Sequence, residues 1–199
     1  MENYKKLFKK DIIEILKSNA VFKNCIIENI NFQFMPSIDN AKFENCLFKS
    51  CNFSKTTLRN IRFYQVEFNA CWFTGSEISE FEFIKCTYVN CDFSSSVIFN
   101  TKFSFCNFCA VYFYSCILTN NSYKNVQFYN TVNFDKSYLS NNLFSNCSLK
   151  SGKTTFYNVK YGKENQFKNS SIQPIYIIDE KAIVLLTKYK QEKNKKNDN

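Results

Sequence analysis

Residues Ala41 to Phe73 read AKFENCLFKSCNFSKTTLRNIRFYQVEFNACWF. Every fifth residue in that stretch is large and apolar: Phe43, Phe48, Phe53, Leu58, Phe63, Phe68 and Phe73. The beat then runs unbroken through Ile78, Phe83, Tyr88, Phe93, Ile98, Phe103, Phe108, Phe113, Leu118 and Tyr123 to Phe128. A helix repeats about every 3.6 residues and a strand every second residue, so a period of five belongs to neither alone. It marks a stacked repeat architecture.

Outward from this core the beat continues with small slips. Upstream stand Phe22, Ile27 and Phe32, then an extra residue near Met35 and Pro36, then Ile38. Downstream an insertion at 131–133 precedes Phe134, Leu139, Phe144 and Leu149. Further insertions near Gly152 and before Phe167 separate Phe156, Tyr161, Phe167 and Ile172, for thirty repeats in all.

Read in steps of four repeats, the centres sort by type. Phe32, Phe53, Phe73, Phe93, Phe113, Phe134 and Phe156 form one column, and Ile38, Leu58, Ile78, Ile98, Leu118 and Leu139, ended by Tyr161, form another. The other two begin at Phe22 and Ile27 and are mostly aromatic. Four sides of five residues would stack residues twenty apart, and like-sized side chains in each layer avoid voids. Two residues before each centre lies a column of small or β-branched residues, Cys46, Cys51, Thr56, Val66, Cys71 and Ser76 among them. Two residues after it Asn recurs, at Asn45, Asn60, Asn90, Asn100, Asn120, Asn125, Asn130, Asn141 and Asn146. Asn tolerates left-handed backbone, which places this column at corners. Phe81 occupies a small-residue position and is expected to bulge its coil.

Segments such as Ala41-Lys42-Phe43-Glu44-Asn45 and Cys91-Asp92-Phe93-Ser94-Ser95 resemble the motif of the pentapeptide repeat family. The resemblance implies an all-β, right-handed quadrilateral β-helix over residues 20–174. Seven and a half coils at about 4.8 Å would make a rod about 36 Å long. Short helical caps are expected at both ends. An amphipathic helix from Tyr4 to Lys17, within an N-terminal cap of residues 1–19, offers Leu7, Phe8, Ile12, Ile15 and Leu16 to the first coil. A last strand and a helix capped by Asp179 occupy 175–191, presenting Ala182, Ile183, Leu186 and Tyr189. The family resemblance makes that element a candidate for homodimerisation as well as a cap. A polar, disordered tail is expected over 192–199.

The chain has no His, three Gly and ten Cys. Without His there is no Ser-His or Cys-His nucleophile pair, and without a glycine-rich loop no phosphate cradle. No catalytic, cofactor or metal site is expected, and Glu80 and Glu82 belong to the solvated surface. Nine cysteines fall in the small inward column and act as small packing groups, Cys51, Cys71 and Cys91 in one ladder. Cys109 faces outward. So many free thiols suit a reducing compartment, so the reading is cytoplasmic. The N-terminus lacks a cleavable signal pattern, and no apolar run is long enough to span a bilayer.

The net charge is +9, but residues 20–150 hold eleven basic against nine acidic residues, and residues 151–199 ten against five. The rod is near neutral and its C-terminal end is basic. A non-catalytic, protein-binding scaffold is therefore the leading expectation. The candidate partner surface is Val97, Ile117 and Tyr138 up successive coils, with Phe99 beside them and Tyr112 and Tyr114 on the adjoining side. Trp72 and Tyr64 stand apart as isolated residues.

Two other readings compete. The quinolone-resistance branch of the family, which binds DNA gyrase by imitating duplex DNA, implies a type II topoisomerase as partner. That imitation needs an acidic stripe, whereas Glu67, Glu77, Glu82 and Asp92 fall on four different sides. Direct nucleic-acid binding through the basic C-terminal end is the third reading, and inward-pointing aromatics argue against it.

Overall fold

A computed structural model describes residues 4–16, 21–33, 35, 37–149, 153–162 and 165–172. Apart from one helix these residues form short parallel strands in three sheets of ten, seven and eight strands. The sheets are three walls of a coil with one shared interior. The seven-stranded wall carries the aliphatic centres, pairing Leu58 with Ile78, Ile98 and Leu118 in turn. The eight-stranded wall stacks Phe43, Phe63, Phe83 and Phe103. The ten-stranded wall stacks Phe48, Phe68, Tyr88 and Phe108.

The fourth wall, centred on Phe53, departs from four equal sides. In the lower coils it is held by single bridges, Asn31 to Asn52, Asn52 to Trp72 and Trp72 to Asp92. From Thr87–Asp92 upward, the strands of the ten-stranded wall bend round the corner and reach it, in Asn107–Tyr112 and Gln127–Asn133. Its centres still stack. Phe53, Phe73, Phe93 and Phe113 lie face to face at 4.9, 4.5 and 5.1 Å, with planes within 13°. Neighbouring walls meet edge to face, as in Phe63 against Phe68 at 70°. Edge-to-face contact suits the ring quadrupole and lets three aromatic walls share one interior.

Corners are left-handed. The nine Asn of the corner column all have φ between 49° and 56°. Side-chain amides continue the ladder outside, Asn60 Nδ2 donating to Asn40 Oδ1 at 2.6 Å and Asn141 Nδ2 to Asn120 Oδ1 at 3.1 Å. The residue inserted near Thr131 appears as a shift in the ladder after Cys109, where Val111 pairs with Val132.

The small inward column does more than fill space. Its thiols and hydroxyls donate to the carbonyl of a centre residue one coil below: Cys51 to Ile27 at 3.2 Å, Cys91 to Phe68 at 3.4 Å, Cys116 to Phe93 at 2.9 Å and Ser96 to Phe73 at 2.6 Å. Cys and Ser are interchangeable here because each is small and carries one donor. In the eight-stranded wall the column instead becomes Asn121, Asn142 and Asn165. The Oδ1 atoms of these three accept the N–H of Thr101, Asn121 and Asn142, each at 3.0 Å. Their Nδ2 atoms donate to the carbonyls of Ile98, Leu118 and Leu139 at 2.8, 2.8 and 3.0 Å. Buried amides are tolerated because every hydrogen-bonding group has a partner.

Three expectations need correction. Phe81 does not bulge its coil: Glu82 keeps register with Arg62 and Lys102, while the buried Phe81 ring packs on Phe63 and Phe83 at 5.7 and 5.3 Å. Apolar interior space accepts the larger ring without moving the ladder.

The N-terminal element is not one helix from Tyr4. Lys5–Leu7 is a strand pairing with Cys25–Ile27, and the helix is Lys9–Leu16. Asp11 Oδ2 accepts the N–H of Phe8 at 2.9 Å, which fixes the helix start. Leu7 and Ile12 are buried while Phe8 is exposed, because the strand and the helix present different faces to the coil.

Trp72 is not isolated either, since its bridge to Asp92 aligns it with Tyr112. The expected C-terminal cap or dimerisation residues Ala182, Ile183, Leu186 and Tyr189, and the tail, lie outside the described residues. No helix among the described residues is long and apolar enough to cross a membrane.

Candidate functional site

With the interior committed to packing, any site must be built from outward positions. A strand's period of two turns the residues on either side of each centre outward. On the aliphatic wall the residue before the centre forms one column, Thr57, Glu77, Val97, Ile117 and Tyr138, in unbroken register. Ile117 is 45% and Tyr138 37% exposed, and Val97 is half-buried. Phe99, half-buried, flanks Val97 on the same strand. The Tyr138 side chain reaches the coil above at Gly162, where a Cβ would fall 2.1 Å from its hydroxyl.

Round the corner, on the Phe53 wall, Tyr112 and Tyr114 are exposed on either side of buried Phe113. Lys136 lies over the Tyr114 ring at 5.2 Å. The Tyr114 hydroxyl beside it raises the Lys136 ammonium above the ordinary lysine value. The structure thus brings the six sequence-named residues onto two adjoining walls. Sequence reading missed two members of this surface, Trp72 and Tyr157, exposed on the same wall as Tyr112 and Tyr114. The signal was present in the four-repeat step: Trp72 precedes a Phe centre as Tyr112 does, and Tyr157 follows one as Tyr114 does.

Elsewhere the exterior is mostly polar, with Phe8, Val21 and Phe105 as separate exposed apolar residues. A groove of about 610 Å³ runs beside Asn40, Asn60, Arg62, Glu80, Glu82 and Lys102. Burial works to raise the Glu82 carboxyl, but Arg62 at 2.6 Å and Lys102 at 3.4 Å outweigh it and hold it below the ordinary value. Tyr64 sits on a different wall beneath Lys85, at 5.7 Å. Among the described residues no group of three or more Cys, Asp or Glu is placed to hold a metal ion, and the ten cysteines are free thiols.

The family model described as pentapeptide repeats matches residues 39–79, with eight copies. No curated protein matches the chain. Among solved structures, trypsin-treated QnrB1, a plasmid-mediated fluoroquinolone resistance protein, is 20% identical with a TM-score of 0.48, over 79% of this chain and 89% of that one. Full-length QnrB1 is 19% identical with a TM-score of 0.40, over 93% and 94%. HetL, a pentapeptide repeat protein involved in heterocyst differentiation regulation in a Nostoc cyanobacterium, is 9% identical with a TM-score of 0.32, over 83% and 94%.

Proposed function

Since this chain belongs to the pentapeptide repeat family, its five-residue rungs continuing from Phe22 to Ile172 around the matched copies, we propose that it is a non-catalytic rod whose outward walls bind a protein partner. The carrying observation is the unbroken outward column Val97, Ile117 and Tyr138, with Phe99 beside it and Tyr112 and Tyr114 round the corner. Apolar side chains scattered singly over a surface need no explanation, but a contiguous set supports an interface. Stacked rungs also hold these groups at fixed spacing, which favours recognition by reducing what must be ordered on binding.

Binding a type II topoisomerase through a duplex-like outline draws less support. The acids Glu67, Glu77, Glu82 and Asp92 stand on four separate walls, and Glu28, Glu77 and Glu82 are already paired with Lys or Arg. Inhibition of gyrase supercoiling by the rod would reverse that order. Nucleic-acid binding through the basic end rests largely on residues beyond 172, outside the described residues.

The test is capture from the native cell with immobilised rod. Wild type and a Lys85→Ala control on another wall should retain the same protein. Ile117→Lys should lose it at an unchanged melting temperature, since a buried unpaired charge at an interface is costly. Identical capture by Ile117→Lys would remove the aliphatic wall from the reading.

A further inference from the structure

The Phe53 wall has a local rule that two residues break. In the outward column before the centre, Asn31, Asn52, Asp92 and Asn133 each accept, through Oδ1, the N–H two residues on, from Gln33, Ser54, Ser94 and Asp135 at 2.9, 2.9, 2.8 and 2.7 Å. This side-chain bond replaces a missing backbone partner at the turn that closes each coil. Trp72 and Tyr112 occupy the same column and can make no such bond. They give up a turn contact to hold aromatic rings 45% and 41% exposed. Packing gives no reason for the exchange.

The rungs then alternate. In the column before the centre Trp72 is followed by Asp92 and Tyr112, and in the column after it Tyr114 is followed by Asp135 and Tyr157. Aromatic rings thus stand on every second rung with a carboxylate between. At the parallel-sheet spacing the aromatic rungs are about 9.6 Å apart. A polyproline II helix has three residues per turn and rises about 3.1 Å per residue, so its ridge repeats about every 9.3 Å. Over four rungs the mismatch stays under about 1 Å. The shorter Asp rungs form valleys between aromatic ridges. Each carboxylate uses Oδ1 for a backbone N–H, of Ser94 for Asp92 and of Tyr157 for Asp135. Among the described residues, Oδ2 of each makes no hydrogen bond and is available to a cation.

From this register we infer that the Phe53 wall docks a proline-rich peptide lying along the rod axis, its prolines on Trp72, Tyr112 and Tyr157, beside the Lys136-covered Tyr114 ring, and its basic residues toward Asp92 and Asp135. This rests on the protein-binding reading and names the partner's chemistry. Polyproline II suits a flat, rigid wall because it is already extended and loses little entropy on docking. Proline rings pack on Tyr and Trp faces, and a carboxylate flanking those faces selects Arg or Lys.

Trp72 is the chain's one tryptophan and so reports directly on the site. The full chain is titrated with a synthetic peptide bearing proline at every third position and flanking arginines, and with the same peptide having glycine for proline. The expected result is a saturable blue shift of tryptophan emission with the proline peptide alone. Tyr112→Asn, which restores the column's capping residue, should weaken binding about tenfold or more, as loss of a central aromatic anchor does, with the melting temperature held or raised. Asp92→Asn keeps the cap and should weaken the arginine-flanked peptide selectively. No shift at millimolar peptide, equal binding of the glycine peptide, or a response to soluble oligosaccharides instead overturns the inference. If the cellular partner captured through Ile117 binds Tyr112→Asn unchanged, the rod remains a protein binder and this assignment of its partner falls.

Discussion

On the Phe53 wall, two columns one residue apart behave differently. The inward column is Phe at every rung from Phe32 to Phe156, while the outward column beside it runs Asn31, Asn52, Trp72, Asp92, Tyr112 and Asn133. Both are repeated at the same interval along the same backbone. The inward one is uniform because each ring stacks on those above and below, so a change of size in one layer disturbs two more. The outward one is held by a weaker local requirement, a side-chain oxygen for a turn N–H. Uniformity inside reports packing. Departure outside, where packing is silent, reports use.

The largest break should therefore come from the inside. Phe93 is fully buried and stacks on Phe73 at 4.5 Å and Phe113 at 5.1 Å. Phe93→Ala should cost about 3–5 kcal/mol in urea unfolding, because rigid neighbouring rings cannot collapse into the gap. Next comes the asparagine ladder. Asn142→Ala strands the Asn121 N–H in the buried interior and removes the side-chain donor on the Leu118 carbonyl. A buried orphan costs about 1–3 kcal/mol, so a loss of about that size is expected. The outward exchange Tyr112→Asn should by contrast leave unfolding unchanged or slightly improved. Equal losses inside and outside would erase the distinction on which the candidate site rests.

The sequence made this inside and outside separable to different degrees. Centres every five residues, sorted in steps of four, were enough to place Phe53, Phe73 and Phe93 in one stack, because core volume constrains each layer. The Asn corners were legible because left-handed φ restricts residue choice. The Asn121, Asn142 and Asn165 ladder was not, since these residues sit where Cys, Val and Ser also occur and only their mutual hydrogen bonds justify them. Nor was the Trp72 surface visible as a set. Its members belong to coils twenty or more residues apart, and an outward position tolerates almost any residue. The N-terminal strand and helix read as one helix because Leu7, Phe8, Ile12, Ile15 and Leu16 can share one helical face, whereas Leu7 and Ile12 are buried by different elements.

Cysteine tests the same division with one residue type on both sides. Nine thiols are buried in the inward column, and Cys109 is half-exposed beside the Asn130 amide, whose Nδ2 donates to its sulfur at 3.0 Å. At pH 8 a thiol reagent should label Cys109 quickly and the others at the rate of unfolding, with Cys109→Ser removing the fast phase. Burial pushes the thiols of Cys46 and Cys116 up to about 12 and that of Cys147 up to about 11, from 9.0. The folded chain therefore holds these protons after the unfolded chain has released them. Their contribution to stability is whole below about pH 9 and is lost as pH rises through 11 to 12. Urea midpoints should thus be flat from pH 7 to 8.5 and fall above it. Cys116→Ser is the informative variant, because Ser96 already fills the same column one coil below and makes the same bond to Phe73. It keeps the donor, removes the titration, and should fall less steeply in alkali while matching wild type near neutrality. Fast labelling of all ten thiols at pH 8, or an alkaline slope unchanged by Cys116→Ser, would show that the inward column is not sealed.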